Sequence, residues 1–470
     1  MSYNELLMKV YSKSPQIVQT MGINLMDLNH RMLIGSKEYQ VWDRLLRKSE
    51  IWNLSEFQEY QNKHLRRVVL YAYNNISFYK RLYDDYGVNI NSIRTIDDLE
   101  KLPVIRKEQI INNCDILSKP TRSDIIQHTS GTTGKPLTIR ISHSNDVLFK
   151  AVSYGRRNVW SNYNSGWIAR FVGDQPVKDC NELPLYRKSY IMRRAIFPSY
   201  CISLKTLPRI ISDLKNLNIE YIWAYPSTAY LIAKYLQMLD VYLPMRGVFY
   251  SSEPMYELQK DVITERFKSK CYGFYGQAEE VVSAVECGEG KYHLTMIDGI
   301  MEVSLDSGNV PPGDKGFVIA TSLHNYAMPL IRYKLGDYTG YQDCDCQCNR
   351  ISPTIYPIET KMEDFIVTPE GKIISPSLLT FPLKHSNDII ESQVVQTDLN
   401  EVNVYIIRGE RFNEQDEITL RESFKPILGN QMIVNIICTE KIHSTSAFKK
   451  RFVINKLGRD YIETAFNETK

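Results

Sequence analysis

Tyr221-Ile222-Trp223-Ala224, a helical pattern from Ser227 to Leu239, then Gly247-Val248-Phe249-Tyr250, a second helical pattern from Met255 to Phe267, and Cys271-Tyr272-Gly273-Phe274-Tyr275 follow one another closely. The short runs are rich in β-branched and aromatic residues and read as strands, while the longer stretches carry apolar residues at helical spacing. Strands alternating with helices predict a parallel-rich sheet whose strand ends carry the ligand site. Upstream, residues 1–120 read as mostly helical and charged. Leu54 to Tyr86 shows helical apolar spacing through Phe57, Leu65, Val68, Val69, Ala72 and Tyr73, and Leu102-Pro103-Val104-Ile105 reads as a short extended link. After residue 357 a smaller unit begins, with Asp364-Phe365-Ile366-Val367, a turn at 369–371, and the strand pattern Glu401 to Ile407. The expected fold class is α/β: a large multi-layer N-terminal domain with parallel-rich sheets and a smaller α+β C-terminal domain, joined by a hinge. Its boundaries are a helical part at 1–120, an α/β body at 121–357, and a C-terminal domain at 358–470.

The chain has 470 residues, too many for one compact core. Its 57 basic and 54 acidic side chains leave a formal charge of +3, which implies no large basic face for nucleic acid. No stretch approaches the roughly eighteen consecutive apolar residues of a membrane span, and no secretory leader is apparent. The expected location is therefore cytoplasmic. In that setting nine cysteines suggest thiols and metal ligands rather than a disulfide framework.

Between Ile125-Ile126 and Leu137-Thr138-Ile139 lies a polar stretch, Gln127-His128 followed by Thr129, Ser130, Gly131, Thr132, Thr133, Gly134, Lys135 and Pro136. The flanks predict a hairpin. Its tip could be a plain Thr-rich turn, or a loop whose N–H groups, hydroxyls and lysine surround a polyphosphate. It is not a Walker A loop, because two residues rather than four separate Gly131 from Gly134-Lys135.

Further on, Tyr275-Gly276-Gln277-Ala278-Glu279 follows a strand pattern. An aromatic face suits a purine and a carboxylate suits a hard cation. The plainer explanation is a strand–turn–helix junction, where a helix dipole would favour the acidic pair Glu279 and Glu280. Asp337 closes Met328-Pro329-Leu330-Ile331-Arg332-Tyr333-Lys334-Leu335-Gly336-Asp337, and it is either a turn residue or a two-oxygen acceptor for a vicinal diol. Near the C-terminus, Ala447-Phe448-Lys449-Lys450-Arg451-Phe452-Val453-Ile454 would by charge alone be a solvated face.

Together and in this order, these segments resemble the adenylate-forming superfamily of acyl-CoA synthetases and adenylation domains. The phenylacetate–CoA ligase-like group fits best. Phe197-Pro198-Ser199-Tyr200 and Ala224-Tyr225-Pro226-Ser227 look like the CapK-type branch associated with capsular polysaccharide biosynthesis. The resemblance implies that Thr129 to Lys135 bind the phosphates of ATP, that Ser252-Glu253-Pro254 flanks adenine, and that Tyr275 and Gly276 contact it. It also implies that Glu279 holds Mg²⁺, Asp337 binds the ribose hydroxyls, and Lys449 reaches the reacting carboxylate and α-phosphate. Lys361, in Thr360-Lys361-Met362-Glu363-Asp364, stands where the family carries an arginine at its hinge; lysine keeps the charge without the planar fork. Phe448 replaces the family's glycine before Lys449.

The subgroup also suggests a closed zinc site from Cys287, His293, Cys346 and Cys348, with Cys344 as a rival ligand. Four protein ligands leave no position for water, so the site would be structural. Reduced thiols in a polar loop are the alternative. The implied activity is activation of a small-molecule carboxylic acid with ATP and Mg²⁺, followed by transfer to CoA, another thiol or an amine. Two alternatives stand beside it: amide or ester transfer to an amino sugar or polysaccharide precursor without CoA, and a catalytically inactive nucleotide-binding or scaffold relative.

Overall fold

The computed structural model describes residues 11, 13–113, 116–128, 137–156, 166–177, 179–203, 205–305, 308–343, 346–358, 360–361, 364–370, 372–374, 376–384, 388–444, 450–458 and 461. They form two compact units: residues 1–35, 163–272 and 363–470 make the first, and residues 36–162 and 273–362 the second.

The first unit begins with helix α1 (Gln16–Ile34). In the second, α2 (Lys37–Ser49) is capped by Ser36, whose side chain accepts from the Tyr39 N–H. α3 (Leu54–Asn75) starts at an Asn53/Glu56 capping box and ends before Ile76, from which α4 (Ser77–Asp85) restarts. The single helical stretch expected from Leu54 to Tyr86 is thus two helices. After α5 (Lys107–Asn112), strands β1 (Ile125–His128) and β2 (Thr138–Ile141) pair antiparallel, Gln127 opposite Ile139, as the expected hairpin, and lead into α6 (His143–Lys150).

The chain then supplies the parallel layer of the first unit. β3 (Trp167–Phe171), β5 (Arg194–Ile196), β6 (Ile219–Ala224) and β7 (Gly247–Ser251) run parallel, and β4 (Arg187–Ser189) joins β5 antiparallel. Between them lie α7 (Leu207–Asn216) and α8 (Pro226–Met238), and α9 (Glu257–Phe267) follows β7. Buried Ile222, Val248 and Phe249 show why these strands read as continuous apolar runs, since helices cover a parallel sheet. β8 (Cys271–Tyr275) carries the chain into the second unit, where β9 (Ala284–Glu286), β10 (Tyr292–Leu294) and later β15 (Thr354–Ile355) continue antiparallel.

A five-stranded antiparallel sheet completes the second unit. Its order is β12 (Gly308–Asn309), β11 (Gly299–Leu305), β13 (Gly316–Ser322), β14 (Tyr333–Thr339), β16 (Thr360–Lys361). The C-terminal part belongs to the first unit. The short hairpin β17 (Ile366–Val367) and β18 (Ile373–Ile374) precedes β19 (Ile389–Asp398) and β20 (Glu401–Arg408). Helix α10 (Glu414–Leu428), β21 (Ile433–Cys438) and β22 (Val453–Asn455) complete a four-stranded sheet in the order β21-β20-β19-β22. Val394, Val404, Ile406, Phe424 and Leu428 form its own core. No helix is long and apolar enough to cross a membrane among the described residues.

One expectation is corrected. Cys180 and Cys201 form a disulfide in the first unit, so the cysteines are not all thiols or metal ligands. Their partnership is long-range in sequence and carries no local signature.

Candidate active site and metal centre

In the second unit, β8 ends at Tyr275 and β14 carries Asp337. The Tyr275 hydroxyl donates to Asp337 Oδ2 at 2.9 Å, and both residues are buried. Burial, reinforced by the Asp337 carboxylate, pushes the Tyr275 phenol well above its ordinary range, so it remains a neutral donor. Across the β14–β16 ladder, Asp337 stands opposite Lys361. Gly336 has φ +86°, a conformation that favours glycine and sets the backbone just before Asp337. At Gly276 a side chain has no room: a Cβ would stand 2.8 Å from ring carbons of both Phe149 and Phe274. The structure thus brings Tyr275, Gly276, Asp337 and the Lys361 backbone together in one unit.

The segment after Tyr275 is a turn leading to β9, not a helix, so a helix dipole does not explain the acidic pair. Tyr333 Oη donates to Glu279 Oε1 at 3.4 Å. Glu280, which the sequence offered only as half of that pair, is buried and adopts φ +50°. Its Oε1 accepts from Gln127 Nε2 at 2.7 Å and its Oε2 from Asn145 Nδ2 at 3.3 Å. Burial, helped by nearby Asp146, pushes its carboxyl up to about 8. This ties β1 and α6 to the turn that bears Glu279. Left-handed backbone at a non-glycine residue gathers at functional sites, and it was the signal that sequence alone could not supply. The phosphate-loop residues Thr129 to Lys135 lie outside the described residues.

In the first unit, Ser252-Glu253-Pro254 follows β7, with Ser252 at φ +74°. Glu253 Oε2 accepts from the Ser227 N–H at 3.0 Å, in the first turn of α8, where the helix dipole favours a carboxylate. Glu253 Oε1 accepts from the Lys450 N–H at 2.9 Å. Lys450 Nζ pairs with Glu391 at 2.6 Å, Arg451 pairs with Asp364, and the Phe452 ring meets Tyr256 edge-on at 5.3 Å. Lys449 itself lies outside the described residues. The bond from the Lys450 backbone to Glu253 was not legible in the sequence, because it links residues 197 positions apart.

Cys287, His293, Cys346 and Cys348 present ligand atoms all within 4.8 Å of one another. Cys287 follows β9, His293 sits in β10, and the other two come from the turn before β15. Cys287 Sγ and Cys346 Sγ are 3.6 Å apart, and Cys348 Sγ lies 3.2 Å from His293 Nε2. His293 Nδ1 lies 3.1 Å from the Ser352 carbonyl, which can only accept. Nδ1 therefore carries the proton and Nε2 turns its lone pair to the sulfurs, the tautomer a metal needs. Burial pushes the Cys346 thiol up to about 12. Cys344 lies outside the described residues.

Among solved structures, 2-hydroxyisobutyryl-CoA ligase in the postadenylation state with R3-HIB-AMP matches with a TM-score of 0.68, at 19% identity, over 90% of this chain and 94% of that one. The fold is that of the adenylate-forming CoA ligases: a large sheet-rich α/β body with a separate C-terminal α/β domain. Protein CapK of Staphylococcus aureus is 24% identical over 464 residues, covering 95% of this chain and 99% of CapK. Phenylacetate-coenzyme A ligase of Thermus thermophilus is 26% identical, covering 65% of this chain and 71% of that protein. Residues 366–456 match the CapK C-terminal domain. The chain is a homologue of CapK and of the phenylacetate–CoA ligases.

Proposed function

We propose that this protein activates a carboxylic acid with ATP, forming an acyl-adenylate and pyrophosphate, and passes the acyl group to a thiol. The observation that carries the reading is the buried Tyr275–Asp337 pair opposite Lys361. An oriented carboxylate beside an aromatic ring and a cationic residue suits the ribose and base of a nucleotide. A carboxylate oxygen of the acid attacks the α-phosphorus, the bond to the β-phosphate oxygen breaks, and pyrophosphate leaves. In the second step a thiol attacks the acyl carbon and AMP departs.

A free carboxylate is a poor electrophile, so the protein's task is alignment and relief of accumulating negative charge. Thr129, Ser130, Thr132, Thr133 and Lys135 would cradle the phosphates. Glu279, whose bond from Tyr333 is long, would hold Mg²⁺. The ion would neutralise phosphate charge there. Lys449 would meet the charge that develops on carboxylate and α-phosphate. Support for Lys449 over its neighbour comes from Lys450, whose ammonium is already engaged by Glu391. Cys287, His293, Cys346 and Cys348 would hold a structural zinc ion.

Lys449→Ala is expected to lower ATP–pyrophosphate exchange by about 10²–10³ while the protein still folds. Exchange at the wild-type rate would remove Lys449 from the chemistry. A panel of aryl, fatty, hydroxy and amino acids, assayed for pyrophosphate release, identifies the acid.

A second reading ends in an amide or ester on an amino sugar or other polysaccharide precursor, without CoA. It is favoured by the CapK likeness running through 95% of this chain, and by the match of residues 366–456 to the CapK C-terminal domain. AMP release compared with CoA, hydroxylamine and amino-sugar acceptors separates the two.

A further inference from the structure

Helix α1 is built inside out. Its polar residues face the protein: Gln19 is 2% exposed and accepts from Arg187 Nε at 2.7 Å, and Asp27 is 1% exposed and accepts from Arg194 Nε at 2.8 Å. Between them Asn24 donates to the Lys188 carbonyl at 2.9 Å and accepts from the Tyr190 N–H at 2.9 Å. Ile23 is buried with them, but most of the apolar residues face outward. Val18, Met21, Leu25, Leu28 and Met32 are each between 41% and 66% exposed. A soluble helix ordinarily buries such a stripe and exposes its charges. Rolling the helix to do so would break the Gln19–Arg187 bond and take the Asp27 carboxylate away from the part-buried Arg194, which is unfavourable.

The outward residues alternate at spacings of three and four, the a/d register of a helix that packs against a second helix. The stripe carries no charge, so laying it against a copy of itself meets no like-charge repulsion. A lipid surface is the poorer match, because interfacial helices flank their apolar face with several lysines and arginines, and residues 16–34 hold Arg31 alone.

We propose that α1 is a dimerisation helix whose Val18–Met21–Leu25–Leu28–Met32 seam packs against the same seam of a second copy of this chain, around a two-fold axis. In either direction of pairing, the middle residue Leu25 meets its own copy. Two such helices cover less than the roughly 1,200–2,000 Å² that stable interfaces bury, so the dimer is weak and concentration-dependent.

Sedimentation velocity of the full chain over a concentration series tests this. The expected result is a monomer–dimer equilibrium in the micromolar range that Leu25→Asp weakens at least tenfold with an unchanged circular dichroism spectrum. Leu25 is exposed in the single chain, so the change leaves the core intact. As a second measurement, Leu25→Cys should yield a disulfide-linked dimer on mild oxidation. The wild-type chain, which already carries exposed Cys438, should not. A monomer at every concentration, a dimer indifferent to Leu25→Asp, or a monomer that instead binds anionic lipid vesicles would each overturn the proposal.

Discussion

Glu253 spans two elements with one carboxylate, taking the Ser227 N–H on one oxygen and the Lys450 N–H on the other. Lys450, whose backbone Glu253 holds, is the next residue after Lys449 in the sequence. Charge-assisted hydrogen bonds contribute about 1.5–3 kcal/mol, so Glu253→Gln should lower the adenylation rate about tenfold to a hundredfold. The effect should fall on kcat rather than on the KM for the acid, and pyrophosphate exchange measures both. An unchanged kcat would mean the contact is incidental. A second residue-scale prediction concerns pH. His324 is 7% exposed beside Tyr60 and His64, with Nε2 3.0 Å from the Ile297 carbonyl. Burial, with His64 adding to it, lowers its pKa from 6.5 to about 3. The folded state therefore binds fewer protons than the unfolded chain between those values. The stability it contributes is complete above about pH 6.5 and is lost as pH falls toward 3. From pH 7 to 5 this one imidazole should remove about 2 kcal/mol of stability, and His324→Gln should take that share out of the pH dependence of the unfolding free energy measured by denaturant titration.

The strands β9, β10 and β15 are short, since β10 has three residues and β15 has two. Strands this short hold few backbone bonds, and four convergent ligands would supply the missing stability. We expect stoichiometric zinc by elemental analysis, lost in Cys346→Ser. Chelation should lower the thermal midpoint, and adenylation measured below the new midpoint should be spared. Loss of catalysis without loss of stability would point to a metal that activates water instead. The elements also show what a sequence discloses. β8 was readable residue for residue, from Cys271 to Tyr275, because no charged residue interrupts its run of aromatic and small residues. α8 and α9 were readable to within two residues from helical spacing. The interruption at Ile76 was not, because the apolar period runs straight through it. Glu280's reach to Gln127 and Asn145, and the Cys180–Cys201 bond, depend on which distant segments meet, and no local pattern encodes that.

At the scale of the molecule, the two proposed half-reactions would make different demands on the same chain. Adenylation needs a cation at the α-phosphate, whereas transfer needs that position cleared for an incoming nucleophile. The C-terminal sheet is suited to serve both, because Val394, Val404, Ile406, Phe424 and Leu428 give it a core of its own that survives movement as a body. Its described ties to the strand ends of the first unit include the Glu253–Lys450 bond and the Tyr256–Phe452 ring contact, both of which exchange readily with water or another surface. If the sheet presents Lys449 for adenylation and another face for transfer, the lysine matters in one step alone. Lys449→Ala supplied with pre-formed acyl-adenylate and acceptor should then release AMP at close to the wild-type rate, although it cannot make the adenylate itself. Running the same two assays on Glu253→Gln sharpens the result. Loosening the adenylation contact should slow the first step and leave the second unchanged or faster. If both variants lose both steps equally, a single fixed arrangement performs the whole reaction and the alternation is wrong.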